Sequence, residues 1–130
     1  MKNVLFVCVH NAGRSQMAEA FLNAAGSDRL VGESAGTVPT EHVNPIVAEA
    51  MWEVGIDISV NAPKVITQAM ADNADLIFTM GCAIDDACPA TFLPAEDWGL
   101  DDPAGQPLET VRQIRDQIRI KVAELLEREG

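Results

Sequence analysis

A thiol, a guanidinium and a hydroxyl lie close together in one short segment, residues 8–15, CVHNAGRS. Five residues separate Cys8 from Arg14, and Ser15 follows directly. A cysteine thiolate is a strong nucleophile, and the planar donor fork of an arginine fits the oxygens of a tetrahedral anion. We therefore predict a site in which Cys8 attacks an oxyanion that Arg14 helps to hold.

The residues between Cys8 and Arg14 are predicted to contribute backbone donors to the same anion. The N–H groups of a tight turn converge on one point, and the free N–H groups at the start of a following helix add to them. Asn11 and Gly13 are residue types that tolerate a positive φ in such a turn. The Ser15 hydroxyl is placed to donate to the sulfur, and the positive charge around the sulfur favours the thiolate. The predicted oxyanion-binding loop comprises Cys8, Val9, His10, Asn11, Ala12, Gly13, Arg14 and Ser15.

This loop needs a strand before it and a helix after it, and the sequence predicts both. Residues 3–9 form a short continuous apolar run, which is typical of a buried parallel strand. Residues 15–25 carry apolar side chains at helical spacing, and Gly26 is a stop signal. Further strands are predicted at 29–36, 74–81 and 96–100, and further helices at 44–55, 66–73 and 107–129.

The alternation of strands and helices implies one doubly wound α/β domain, residues 1–130, with a parallel sheet of about four strands covered on both faces. Ligands of such sheets bind beyond the carboxyl ends of the strands. Cys8 lies at the end of the first predicted strand, and Cys82 follows the strand at 74–81. If the sheet has flavodoxin-like order, these two strands are neighbours about 4.8 Å apart, and the two thiols share one edge of one site.

Apolar helix faces indicate where the core of the domain lies. Met17, Met51 and Trp52 lie on such faces and are expected to be buried. The charged residues of the last helix, including Arg112 and Arg115, are expected to form a solvated face. The apolar face of that helix consists of Val111, Ile114, Ile118, Val122 and Leu125.

Composition excludes several classes of function. A net charge of −11 argues against nucleic acid or an anionic membrane surface as a partner. No apolar run approaches the ~18 residues that a membrane span needs, and the N-terminus lacks a signal-peptide cleavage site, so we expect a cytoplasmic protein. Three cysteines disfavour a structural disulfide framework. No pair of histidines or cysteines has the spacing of a zinc site, and we expect neither a metal nor a cofactor.

Four segments of the chain together resemble the arsenate reductases built on the low-molecular-weight protein tyrosine phosphatase fold. The loop CVHNAGRS resembles the phosphate-binding loop of that fold, and the similarity runs over nearly the whole chain. The matching segments are residues 8–21, 34–37, 43–59 and 98–105. The resemblance implies a four-stranded parallel sheet in the order 2-1-3-4 with helices on both faces.

The resemblance also implies roles for single residues. Cys8 corresponds to the nucleophile, Arg14 and Ser15 to its loop partners, and Asn11 to the residue that fixes the shape of the loop. Asp102, the aspartate before the proline in LDDPAG, corresponds to the general acid that protonates a leaving oxygen.

Two further cysteines, Cys82 and Cys88 in GCAIDDACP, correspond to those of the thioredoxin-coupled reductases. The resemblance implies a thiol–disulfide relay. Cys8 attacks arsenate, Cys82 attacks the Cys8–arsenic adduct so that As(III) departs, and a Cys8–Cys82 disulfide forms. Cys88 then attacks Cys82 and frees Cys8, and thioredoxin reduces the remaining disulfide. Phosphate and sulfate are expected to compete with arsenate for the loop.

Departures from the family pattern leave alternatives open. The spacing from Cys82 to Cys88 is one residue shorter than in the thioredoxin-coupled type, and actinobacterial relatives that use mycothiol with mycoredoxin also resemble this chain. A low-molecular-weight phosphatase is a second alternative, although Ala104 and Gly105 stand where the phosphatases carry aromatic residues. A third is a non-enzymatic thiol redox sensor or anion-binding module.

Many thioredoxin-coupled members bind a potassium ion beside the loop through an asparagine, a glutamate, a serine and an aspartate. Asn11, Glu19 and Ser34 match the first three positions, but Lys64 stands at the fourth. An ammonium group there would replace the ion electrostatically. We therefore expect no dependence on potassium.

Overall fold

The sheet is built around β1 (Lys2–Cys8), which lies between β2 (Leu30–Gly36) and β3 (Leu76–Thr79). The short strand β4 (Glu96–Asp97) pairs with the other edge of β3, and every pair is parallel. The computed structural model describes residues 1–81 and 96–129. Across these residues the sheet has the order β2-β1-β3-β4, so the predicted order 2-1-3-4 is confirmed.

Helices cover the sheet within the same described ranges. Each helix lies inside the segment predicted for it or begins one residue before that segment. The boundaries match because helix-capping residues are visible in the sequence. The Asn44 side chain, for example, accepts the Ile46 N–H at 2.9 Å and caps the second helix. No helix in the described ranges is both long enough and apolar enough to cross a membrane. The helices are α1 (Arg14–Ala24), α2 (Pro45–Trp52), α3 (Gln68–Asn73) and α4 (Leu108–Glu129).

The side chains of β1 alternate between two apolar cores, as the pleat of a strand requires. Val4, Phe6 and Cys8 face the larger core, which also contains the buried faces of α1, α2 and α4. Leu5 and Val7 face a smaller core on the other side of the sheet. Each large apolar side chain buried in this way contributes about 1.5–3 kcal/mol. The sulfur of Cys8 therefore lies on the side of the sheet from which α1 begins.

The helix faces follow the prediction with two exceptions. Met17 and Met51 are fully buried, as predicted, but Trp52 is 66% exposed, so its predicted burial is wrong. Met51 takes the inward position on α2, and the next residue is turned about 100° around the helix. The predicted solvated position of Arg115 is also wrong, because its side chain lies under α2 and its Nη1 donates to the Ala50 carbonyl at 2.9 Å. The predicted apolar face of α4 is confirmed at Val111, Ile114, Ile118, Val122 and Leu125.

Glu53, which follows α2 directly, ties that helix to α4. Arg112 donates from Nε to Glu53 Oε1 at 2.9 Å and from Nη2 to Oε2 at 2.6 Å. Arg115 adds a hydrogen bond from Nη1 to Oε1 at 3.0 Å. The hydrogen bonds from Arg112, followed by those from Arg115, hold the pKa of Glu53 below its usual value. The resulting stabilisation is present above the unfolded-state pKa of this carboxyl and is lost as pH falls through its folded-state pKa.

Glu53→Gln is therefore expected to lower the Tm at pH 7, and this difference should shrink as the pH falls through the folded-state pKa of Glu53. Thermal unfolding followed by circular dichroism between pH 3 and pH 7 measures the difference. Glu124→Gln, at an exposed position of α4, is the control for removing one negative charge. A destabilisation by Glu53→Gln that is the same at both pH values would contradict the assignment.

Candidate active site

The loop between β1 and α1 places Cys8 opposite the N-terminus of a helix. Asn11, fully buried, has a φ of 52°, which confirms the predicted positive φ at this position. The turn brings the Asn11 N–H to 3.1 Å from the Cys8 sulfur. Gly13, the other residue type expected to tolerate a positive φ, has a φ of −142°. Gly13 is needed for space instead, because a Cβ there would lie 2.8 Å from Cγ of Pro103.

The Cys8 sulfur accepts hydrogen bonds from two directions. Its Sγ lies 2.9 Å from Ser15 Oγ, in addition to the contact with the Asn11 N–H. Asn11 Nδ2 donates to Ser15 Oγ at 2.8 Å, so the Ser15 proton is free to point at the sulfur. The orientation of the Asn11 amide is fixed because Oδ1 accepts the Lys64 N–H at 3.0 Å. Two hydrogen-bonding groups therefore fix the position of the sulfur at the base of the loop.

Arg14 is buried and presents one edge of its guanidinium to the protein backbone. Its Nη1 donates to the carbonyls of Met80 at 2.7 Å and Leu100 at 2.9 Å. Its Nε is buried and has no hydrogen-bond partner among the described residues. A buried donor without a partner costs about 1–3 kcal/mol, so a bound anion would satisfy it. The fork formed by Nε and Nη2 is suited to two oxygens of one tetrahedral anion.

Gly81 makes the position of this guanidinium possible. Its φ is +97°, and a Cβ on it would lie 2.5 Å from the Leu100 carbonyl oxygen and 3.2 Å from Nη1 of Arg14. Asp97 Oδ1 holds the same turn by accepting the N–H of Gly81 at 2.7 Å and the hydroxyl of Thr79 at 2.8 Å. Sequence reasoning missed this support. Its one signal was a glycine as the last residue of the strand predicted at 74–81.

A small cavity of about 30 Å³ opens above the sulfur. Asp102 lies in its wall, so the structure brings this predicted acid to the same cavity as Cys8. The carboxylate is oriented by the Ala104 N–H, which donates to Asp102 Oδ1 at 3.0 Å. His10 is exposed at the rim, with Nδ1 3.1 Å from the Val38 carbonyl oxygen. The lining residues are Cys8, His10, Ala12, Gly13, Arg14, Asn44, Asp102, Pro103 and Ala104.

The roles of the two predicted relay cysteines stay predictions. Cys82 and Cys88 lie in residues 82–95, outside the described residues. Val9 belongs to the loop but does not line the cavity. Asn44, which does line it, appeared in the sequence analysis only as the first residue of the helix predicted at 44–55.

The residues predicted to support the loop lie behind it. Ser34 Oγ donates to Glu19 Oε1 at 3.0 Å. Burial raises the pKa of Glu19, while the hydrogen bond from Ser34 and the charge of Lys64 oppose that rise. The ammonium of Lys64 pairs with Glu33 at 3.3 Å, so its effect on Glu19 acts through charge rather than through a hydrogen bond.

Gly36, at the end of β2, allows the strand to approach the loop. It pairs with Cys8 across the sheet, and a Cβ on it would lie 2.5 Å from the Val9 carbonyl oxygen and 3.0 Å from the Asn11 nitrogen. Gly36→Ala is expected to lower the free energy of unfolding by about 1–3 kcal/mol and to weaken phosphate binding, because strand and loop must separate. Denaturant unfolding and calorimetric titration with phosphate measure the two effects.

Gly32→Ala in the same strand is the matched control. A Cβ at Gly32 would meet only movable side-chain atoms, the nearest being Cδ2 of Leu22 at 3.2 Å. Equal effects of the two substitutions on phosphate binding would show that the loop does not depend on this contact.

The sequence is similar to one protein family and to several arsenate reductases. Residues 3–129 match the family model described as low molecular weight phosphotyrosine protein phosphatase. An arsenate reductase of Staphylococcus aureus is 40% identical over 123 residues, covering 93% of this chain and 93% of that protein. A glutaredoxin arsenate reductase of Synechocystis sp. is 38% identical over 130 residues, covering 97% of each chain.

Solved structures are similar over the same length. An arsenate reductase in its phosphate-binding state superposes with a TM-score of 0.87 at 37% identity, with each chain fully covered. A thioredoxin-dependent arsenate reductase of Corynebacterium glutamicum gives a TM-score of 0.80 at 35% identity, covering 98% of this chain and 61% of that one.

Proposed function

The chain belongs to the low molecular weight phosphotyrosine protein phosphatase family. We propose that it is an arsenate reductase, and that its loop between β1 and α1 binds the arsenate that Cys8 attacks. The observation that carries the proposal is the pairing, around one small cavity, of a hydrogen-bonded Cys8 sulfur with the Nε of Arg14, which has no partner among residues 1–81 and 96–129. This arrangement fits a nucleophile below a tetrahedral oxyanion. The choice of arsenate rests on relatives named arsenate reductases that are about 40% identical over more than nine-tenths of the chain.

The first step forms a bond between sulfur and arsenic. The Cys8 thiolate attacks arsenate, and one arsenate oxygen leaves as water after taking a proton from Asp102. Arg14 and the loop N–H groups bind the remaining oxygens, so the negative charge is neutralised where it develops. This step transfers no electrons to arsenic.

Reduction follows through the two cysteines in residues 82–95. The Cys82 thiolate attacks Cys8 Sγ, and the sulfur–arsenic bond breaks. Its electron pair stays on arsenic, which leaves as arsenite, and a Cys8–Cys82 disulfide forms. The Cys88 thiolate then attacks Cys82 Sγ and releases the Cys8 thiolate. The Cys82–Cys88 disulfide holds the oxidising equivalents until an external dithiol reduces it.

The reductant is a protein of the thioredoxin or glutaredoxin type, a class supported by the names of the two relatives from Corynebacterium and Synechocystis. Within that class we propose thioredoxin, because the relay ends in an intramolecular disulfide that a dithiol protein can reduce by exchange. Mycothiol with mycoredoxin is the alternative.

Arsenate-dependent consumption of NADPH tests the proposal. The assay is run separately with thioredoxin and its reductase, with a glutaredoxin system, and with mycothiol and mycoredoxin. We expect turnover with thioredoxin. Cys88→Ser should then allow one release of arsenite per protein molecule but no further turnover, whereas the mycothiol route tolerates this change. Absence of turnover in all three systems, with efficient phosphomonoester hydrolysis, would establish a phosphatase instead.

We also expect equal activity in potassium and sodium salts. The charge of Lys64 already opposes the rise in the pKa of Glu19, so an ammonium group acts on the carboxylate that a potassium ion would otherwise neutralise. Lys64→Gln removes the ammonium but keeps the backbone N–H, and this variant is expected to gain a response to potassium. Steady-state rates at constant ionic strength measure both, and a higher wild-type rate in potassium would contradict the expectation.

A further inference from the structure

The carbonyl groups of the five loop residues 9–13 each accept a hydrogen bond from a donor outside the loop. Such an arrangement keeps every carbonyl oxygen occupied and away from the anion. Four of the donors are backbone N–H groups, and the fifth is a side chain. The pairs are Val9 with Val38 N–H (2.8 Å), His10 with Thr40 N–H (3.2 Å), Asn11 with Gln16 Nε2 (3.2 Å), Ala12 with Asn44 N–H (2.9 Å) and Gly13 with Met17 N–H (3.0 Å).

A carbonyl that is held outward fixes the direction of the N–H in the same peptide unit. The peptide bond is planar and trans, so the C=O of one residue and the N–H of the next point in opposite directions, and the chain has no cis peptide in its described part. Asn11 illustrates the rule, since the His10 carbonyl is held outward and the Asn11 N–H reaches the Cys8 sulfur. The N–H of Ala12 has no hydrogen-bond partner within residues 1–81 and 96–129, and Ala12 lines the cavity.

Gln16 differs from the other four donors because a substitution can remove it. Its side chain is 2% exposed and extends from the first turn of α1 toward the loop. Besides the Asn11 carbonyl, its Nε2 lies 3.3 Å from Asn11 Oδ1. Its Oε1 accepts from Asn61 Nδ2 at 3.2 Å, which fixes which end of the amide faces the loop. Without this donor the peptide between Asn11 and Ala12 is free to rotate and to turn a carbonyl oxygen toward the anion.

We propose that Gln16 is a positioning residue for the anion site: by holding the Asn11 carbonyl outward, it aims the Ala12 N–H at the bound oxyanion. The inference rests on the proposed function, because it assigns a role within the same oxyanion site. Gln16 does not touch the anion itself. Its substitution should therefore change the affinity for the anion and the environment of the Ala12 amide, and should leave Cys8 unchanged.

Gln16→Met tests the proposal, because methionine has a similar length but no donor. We expect the dissociation constant for inorganic phosphate to rise about tenfold or more, on the scale of a lost oxyanion donor. The KM for arsenate should rise with it, and kcat should change less. In the wild type, phosphate should shift the amide proton resonance of Ala12 downfield, and this shift should disappear in the variant. Gln113→Met, at an exposed position of α4, is the matched control and should match the wild type.

Asn61→Ala is the second variant, and it decides the question if Gln16→Met does not fold. It keeps Gln16 but removes the donor that orients its amide, so we expect phosphate binding about threefold weaker and a smaller Ala12 shift. Phosphate affinity within twofold of the wild type, with the Ala12 shift intact, would overturn the proposal in either variant. A wild-type protein that binds no phosphate would overturn the oxyanion site itself, and with it the proposed function.

Discussion

Replacing Cys8 with serine is expected to abolish arsenate reduction while leaving anion binding in place. A serine hydroxyl stays protonated at neutral pH, and an oxygen–arsenic ester offers no sulfur for a second thiol to attack. The loss should be about 10⁴-fold or more in kcat, the scale seen when a nucleophile is removed. NADPH consumption with arsenate and the thioredoxin system measures it.

Phosphate binding is the control for Cys8→Ser. The proposed donors to the anion are the Arg14 fork and the loop N–H groups, and none of them belongs to the sulfur. The variant should therefore bind phosphate with an affinity within a few-fold of the wild type. Remaining arsenate turnover at a tenth of the wild-type rate would mean that another thiol attacks arsenic, and the assignment of the nucleophile would be wrong.

Arg14→Lys is expected to have the second-largest effect, although the charge is kept. A lysine lacks the fork that Nε and Nη2 present to two oxygens. A single ammonium nitrogen also cannot lie both beside the Met80 and Leu100 carbonyls and at the position of Nε and Nη2, whereas the guanidinium spans the two. We expect kcat/KM for arsenate to fall about 10²–10³-fold, as for the loss of one preorganised oxyanion donor. Steady-state kinetics measure the fall, and phosphate titration shows how much of it is binding.

Arg29→Lys is the matched control, because Arg29 is exposed on the loop before β2 and should tolerate the change without loss of activity. Unfolding of both variants separates chemistry from stability. A kcat/KM for Arg14→Lys within threefold of the wild type would show that positive charge alone binds the anion, and the fork would then have no special role.

The sequence predicts the conformation of the loop well because it depends on local residue types. Cys8 ends a strand, Arg14 begins a helix and Asn11 adopts a positive φ, and each of these features is visible in the residues themselves. The strand order followed from resemblance to a family and is confirmed. The supports of the site are less predictable, since Met80 and Leu100 contribute only backbone carbonyls, which any residue type possesses.

The wrong predictions have physical causes of the same kind. Helical spacing places both Met51 and Trp52 near the apolar side of α2, and only the packing of α4 decides that one of them faces solvent. Arg115 looks like a surface charge in the sequence, but the carbonyl of Ala50 and the carboxylate of Glu53 give its guanidinium buried partners. Gly13 was expected for its backbone freedom and is required for its lack of a side chain, because Pro103 packs over it.

The proposed inward-facing N–H groups of the loop also have a consequence for how arsenate is distinguished from more abundant anions. Backbone N–H donors recognise the negative charge and the tetrahedral shape of an anion. Arsenate, phosphate and sulfate share both properties. We therefore expect occupancy of the loop to depend on relative concentration, with phosphate acting as a reversible inhibitor. We expect selectivity to arise after binding, at the reduction step. A thiol can reduce As(V) to As(III), whereas the phosphorus of phosphate keeps its oxidation state. Arsenate and phosphate are thus expected to be distinguished by whether the bound anion can be reduced, and not by whether it can bind.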